Sequence, residues 1–135
     1  MTDQEWLENY ILQVGAVAGT VHRRESGGLR LTASRNIPPN VCEVVAWVPD
    51  GKGMAGQALV TMRPVMTCNL KDDGSSAIRP GARAVDALAA IALPLLSDVG
   101  NVEAVVGLAC PDRREFANAD IETFTRLGSS LLQPA

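Results

Sequence analysis

Residues 48–73, VPDGKGMAGQALVTMRPVMTCNLKDD, constrain the fold of this chain more than any other stretch. Gly51, Gly53 and Gly56 punctuate its start, and residues 55–62 run on as a short helix. Pro64 ends that helix, because proline lacks the amide hydrogen and crowds the preceding turn. Residues 65–70 then read as a strand, and Asp72 and Asp73 open a polar loop. The three glycines spell G-x-G-x-x-G, and Asp73 stands about twenty residues on, where a ribose-binding acid belongs. The helix lasts only about two turns, however, and a parallel dinucleotide-binding unit needs a long crossover. The glycines are therefore read as a tight turn and a place of close helix packing. The phosphate-loop pattern fails as well, since Gln57 follows Gly56 where lysine is required.

The rest of the chain places this stretch in an α+β domain. Trp6, Leu7, Tyr10, Ile11 and Val14 recur at helical spacing, with Asp3, Glu5 and Glu8 early, where the helix dipole favours acids. Residues 15–22 form a strand of small residues, and 29–34 alternate as a half-buried strand, joined through the glycine-ended segment 23–28. Ile37, Pro38 and Pro39 break the pattern. Asn40 with Glu43 resembles a capping box, predicting a helix over 41–48. Residues 89–95 and 102–109 read as buried strands about the turn 98–101. A last helix starts near Asn118, taken as its N-cap, and carries Ile121, Phe124, Leu127 and Leu131 on one face. Gly128 interrupts it. Strands joined by tight turns imply an antiparallel sheet, with helices from both ends covering one face.

At 135 residues the chain is one domain, residues 1–135, long enough to hold a core without staples. Its net charge of −3 gives no basic footprint for nucleic acid. The longest apolar run, 87–96, is too short to span a bilayer and contains Pro94, so no membrane partner is expected. The acidic N-terminus lacks the basic start of a signal peptide. Cys42, Cys68 and Cys110 are odd in number and show no C-x-x-C spacing, which fits free thiols in a cytoplasmic protein. The absence of repeats and linkers suggests a free-standing domain.

The pattern Gly51, Gly53, Gly56, Pro64-Val65 and Asp72-Asp73, then Leu93-Pro94-Leu95, the turn at Gly100, residues 104–108, and Phe116 with Asp120, resembles a GAF domain. The resemblance covers nearly the whole chain, in the family's order. It implies a central antiparallel sheet of five or six strands. The N- and C-terminal helices would pack on one face, and a pocket roofed by helices and loops would lie on the other. It also implies a sensory or regulatory module in signal transduction, in a family where dimers through the terminal helices are common.

Several activities within that family are disfavoured by the residues present. Free methionine sulfoxide reductases of the family use cysteines at places that here hold Val45, Ala55 and Arg83, and no nearby lysine or histidine lowers a cysteine pKa. A redox role for Cys68 is the other reading of these thiols, beside that of buried bystanders. A bilin attaches to a cysteine usually followed by histidine, whereas Glu43, Asn69 and Pro111 follow the three cysteines here. Cyclic-nucleotide domains carry Asn-Lys and Phe-x-x-x-Asp-Glu, but here Val102 follows Asn101 and Ile121 follows Asp120. His22 stands beside Arg23 and Arg24 and reads as a solvated polar residue, so neither metal nor haem finds a ligand set.

The expectation is a non-catalytic small-molecule sensor without cofactor or metal. Its ligand contacts would come from Trp47, Thr67, Cys68, Asn69, Asp72, Asp73, Arg79 and Arg83. Arg79 and Arg83 could share one anionic group if helical, though Pro80 lies between them. Trp47 either roofs the pocket or belongs to the core. Trp6, Tyr10, Phe124, Leu127 and Leu131 exceed what one sheet face needs, which points to a homodimer, with a signalling protein as a further partner. The alternatives are an interaction module whose pocket is filled, Ala87, Ala89, Ala90 and Ala92 closing against Val44, Val45 and Trp47, and the reductase.

Overall fold

Thr2 starts the chain's first helix. Its hydroxyl accepts the Glu5 amide at 3.1 Å, and the Glu5 carboxylate takes the Thr2 backbone N–H in return. This reciprocal cap satisfies two otherwise orphaned donors. The helix, α1, spans Asp3–Val14 and closes on Gly15 in the left-handed region. The computed structural model describes residues 1–67, 89–111 and 116–132. Over these, β1 (Ala18–Glu25) and β2 (Gly28–Arg35) form a hairpin, followed by α2 (Pro39–Val44), β3 (Trp47–Pro49), α3 (Gly53–Thr61) and β4 (Val65–Thr67). Strands β5 (Ala89–Leu96) and β6 (Val102–Cys110), helix α4 (Asn118–Gly128) and a 3-10 turn (Ser129–Leu132) complete them.

One six-stranded sheet runs in the order β3-β2-β1-β6-β5-β4, antiparallel throughout. Alternation along each strand divides its side chains between two layers. Val21, Ile91, Leu93, Leu95, Ala104, Val106 and Leu108 point to the face covered by Trp6, Leu7, Tyr10 and Ile11 of α1 and by Phe124 and Leu131. Leu29, Val48, Ala92 and Val105 point the other way and pack on Ala58 and Leu59 of α3.

Three local expectations are corrected. The second helix does not run to residue 48. It ends at Val44, and Trp47–Pro49 turns into a strand that pairs with β2, residue 47 opposite Arg30 and residue 48 opposite Leu29. An open sheet edge offers backbone partners that a further helical turn would forgo, and Trp and Val suit a strand. Asn40 is not the N-cap of this helix. Pro38 occupies that position without a side-chain bond, and Pro39 follows at the first helical position, where its missing N–H costs nothing. At the last helix, Ala117 rather than Asn118 precedes the first turn, and the Asp120 carboxylate accepts its N–H at 3.1 Å.

Candidate functional site

A cleft opens on the sheet face opposite α1 and α4. Its floor consists of Thr20 and His22 from β1, Ala90 and Ala92 from β5, and Gly107 and Ala109 from β6. These are neighbours by register: residue 20 pairs with 107, and 107 pairs with 92. The floor is low because its residues are small. Its roof is Val41 and Val45 from α2 and its C-terminal end, with Met54 and Ala55 from α3. The cleft measures about 140 Å³ and is partly open rather than enclosed, a volume close to the roughly 150 Å³ of an engineered apolar cavity that holds benzene.

The turn into α3 shapes one wall. Gly51 and Gly53 adopt positive φ values of 79° and 64°. Gly56 sits against this turn, where a Cβ would lie 2.7 Å from the Pro49 carbonyl oxygen. The Gly51 amide donates to the Gly56 carbonyl at 3.1 Å. The three glycines thus serve turn geometry and close packing, as their spacing and the short helix imply.

Polar groups on the cleft are few. Thr20, His22 and Lys52 bring the polar side chains among the described lining residues, which include no aspartate, glutamate or cysteine. His22 corrects the sequence reading: it is 3% exposed rather than solvated. Its Nε2–H donates to the Val45 carbonyl at 2.8 Å, satisfying a carbonyl at the end of α2 that has no helical partner. The clue available in the sequence was period 2, which sets residue 22 on the same face as residues 18 and 20. Lys52 stands before α3 at the mouth of the cleft, exposed, and none of the ion pairs among the described residues uses it.

The expected ligand contacts fall in different places. Thr67 is 6% exposed at the end of β4, opposite Ala90 and facing the cleft layer, although it does not line the cleft itself. Trp47 is not the roof. Val48 takes the cleft side of β3, so residue 47 faces the other way, where its ring covers Gly28 and the Arg30 guanidinium lies 5.1 Å from the ring centroid. Cys68, Asn69, Asp72, Asp73, Arg79 and Arg83 lie outside the described residues. The expected filling of the pocket also fails over the described residues. Ala90, Ala92 and Val45 line open space, Val44 is 50% exposed, and Ala89 packs toward the helices. Ala87 lies outside the described residues.

The residues expected at a dimer interface are used within one chain. Trp6 stacks on Tyr10 with ring centroids 4.6 Å apart, and its Nε1–H donates to Ser130 Oγ at 2.8 Å. The Tyr10 hydroxyl donates to the Phe124 carbonyl at 2.7 Å, and burial pushes its pKa up. Phe124 meets Phe116 edge to face. Leu131 is buried in the same core, with Leu127 packed against it. The surplus over the sheet's needs is consumed in part by contact between α1 and the C-terminal segment. Leu12 is the exposed large apolar residue of α1, 81% exposed, and with Trp6, Tyr10 and Leu131 it lines a surface depression.

Cys42 lies off the cleft, its Sγ 3.5 Å from Ser34 Oγ, and Cys110 is buried under the helices. No group of three or more metal-ligating side chains occurs among the described residues, and no described helix is long and apolar enough to cross a membrane.

The family model for the GAF domain matches residues 7–132. No curated protein matches the chain in sequence. Among solved structures, the chain is similar to the type II free methionine-R-sulfoxide reductase of Thermoplasma acidophilum. The TM-score is 0.73 at 15% identity, over 96% of this chain and 88% of that one. It is similar to the GAF domain/HD domain protein of Geobacter sulfurreducens, with a TM-score of 0.71 at 16% identity, over 93% and 86%. It is also similar to the GAF domain of an Acinetobacter phosphoenolpyruvate-protein phosphotransferase, with a TM-score of 0.73 at 16% identity, over 95% and 76%. At these identities the likeness is one of fold.

Proposed function

Because this chain belongs to the GAF domain family, matched over residues 7–132, we propose that it is a non-catalytic sensory or regulatory domain that binds a small molecule in the cleft between β1, β5, β6 and helices α2 and α3. One observation carries this reading. The described lining is mostly apolar: it holds no cysteine and no carboxylate, and its one histidine, His22, is engaged with the Val45 carbonyl. Ligand binding signals by favouring one of two states of the domain, and only through unequal affinity for them.

The reductase reading competes, since a reductase is among the similar folds. Val45 and Ala55, standing where the resemblance puts two of that activity's cysteines, both line the cleft and bring no thiol to it. Cys42 and Cys110 are elsewhere. The experiment is to incubate purified protein with free methionine-R-sulfoxide and a thiol reductant, in parallel with native mass spectrometry for bound small molecules. No sulfoxide consumption, together with a bound or exchangeable small molecule, is the expected result. Turnover that disappears in Cys68→Ser would overturn it.

A further inference from the structure

We infer that the cleft selects a compact apolar monoanion, a short branched or cyclic carboxylic acid, with its hydrocarbon body on the alanine floor and its carboxylate at Lys52. The inference rests on reading the cleft as a ligand site and names the class of molecule it takes. Three observations converge on that class.

The first is size. The cleft, about 140 Å³ and open on one side, seats a body of the benzene or cyclohexane order on its floor. The second is the character of the walls. Ala90, Ala92, Val41, Val45 and Met54 offer hydrocarbon surface, and Thr20 and His22 are the only other polar side chains among the described lining. A sugar or a nucleobase would bury several donors and acceptors here without partners, each at a substantial cost. The third is charge. Lys52 is the one lysine or arginine on the described lining, that lining holds no acid, and Lys52 joins none of the ion pairs that engage Arg23, Arg24 and Arg30. An ammonium at the mouth of an apolar cleft favours a ligand with a carboxylate at one end. A cationic ligand would meet like charge and no counter-ion on the described lining. A doubly charged acid would have to bury its second carboxylate against hydrocarbon.

The experiment compares one apolar body carrying three head groups: cyclohexanecarboxylate, cyclohexanecarboxamide and cyclohexylmethylamine. Binding to the full chain is measured by calorimetry and by ligand-observed NMR. The expected order is acid, then amide, then amine. The acid should exceed the amide by about fivefold, the scale of one exposed ion pair. In Lys52→Gln the acid should fall to the affinity of the amide. Raised salt should weaken the acid and spare the amide, because screening acts on the charged pair alone. Lys52 is exposed in a turn, so Lys52→Gln should melt as the parent does, and that melt checks its fold. Amide or amine binding as tightly as the acid, or an acid preference that survives in Lys52→Gln, overturns the inference and leaves the cleft a ligand site. If none of the three binds at millimolar concentration, the reading of the cleft as a small-molecule site falls and the inference falls with it.

Discussion

Gly107 and Thr20 face each other across the β1–β6 pair on the cleft floor, and their relation can be tested by a change of sign. A Cβ built on Gly107 would lie 2.7 Å from Thr20 Oγ1, and it meets no other described atom within 4 Å. The backbone at Gly107 is ordinary strand, so alanine carries no φ penalty there. Threonine is β-branched and stiff at χ1, so it yields only by an unfavourable rotamer or a backbone shift. Overpacking of this kind costs about 1–3 kcal/mol. Against it stands a gain of about 0.4–1 kcal/mol, because alanine narrows the unfolded ensemble relative to glycine. Gly107→Ala should therefore destabilise the parent by roughly 1–2 kcal/mol, lowering Tm by about 3–8 °C for a domain of this size. In a Thr20→Ala background the obstructing oxygen is gone, and the same substitution should stabilise by about 0.5 kcal/mol. The assay is urea unfolding of the four proteins of the cycle, with a coupling energy of roughly 1–3 kcal/mol expected. Additive effects, with Gly107→Ala costing the same in both backgrounds, would refute this description of the floor.

Further outcomes are expected elsewhere. Tyr10→Phe removes the buried bond to the Phe124 carbonyl and should cost about 1 kcal/mol in denaturant melts, with the chain's oligomeric state unchanged by size-exclusion chromatography. Two hydrogen bonds from Arg23 hold the Asp3 carboxyl below its ordinary pKa, with Thr32 adding a third. A depressed carboxyl stabilises the fold above the unfolded pKa of about 4 and loses that stabilisation as pH falls through the folded value. Asp3→Asn should therefore be less stable than the parent near pH 7 by about 1 kcal/mol or less, and the gap should close below about pH 4 in pH-resolved melts. Trp47→Ala should cost about 1 kcal/mol in denaturant melts through the lost Arg30 stacking and Gly28 cover, yet leave ligand affinity unchanged in calorimetry. Ala92→Leu should abolish binding by filling the floor, and loss of binding in Trp47→Ala with retention in Ala92→Leu would reverse the assignment of faces.

Much of the fold was legible because single strands and helices announce their period. The α1 stripe, the alternation in 29–34, the two apolar strands and the short helix stopped by Pro64 all stand where the sequence puts them. Trp47–Pro49 was not legible. Three residues carry no period, and their state depends on the open edge of β2, which is a tertiary fact. The same limit governed the site. That Thr20, Ala90, Ala92 and Gly107 form one low floor follows from register across three strands, and nothing in one strand's sequence reveals it. His22 was misread because two neighbouring arginines suggested solvent, whereas the alternation of β1 turns it inward beneath α2. The aromatic surplus on the terminal helices was real, and contacts within the chain use part of it, Trp6 stacking on Tyr10 and Tyr10 bonding to Phe124. The polar candidates Asn69, Asp72, Asp73, Arg79 and Arg83 lie outside the described residues, so the site rests on Thr20, His22 and Lys52 with its apolar walls.

The most direct test of a ligand site in this cleft is amide chemical-shift mapping of isotopically labelled protein titrated with cyclohexanecarboxylate. The perturbed amides should cluster at Thr20, Val45, Ala55, Ala90 and Gly107, with those of Leu7, Tyr10 and Phe124 on the far face unmoved. Shifts confined to α1 and α4, or no shifts at millimolar ligand, would contradict it.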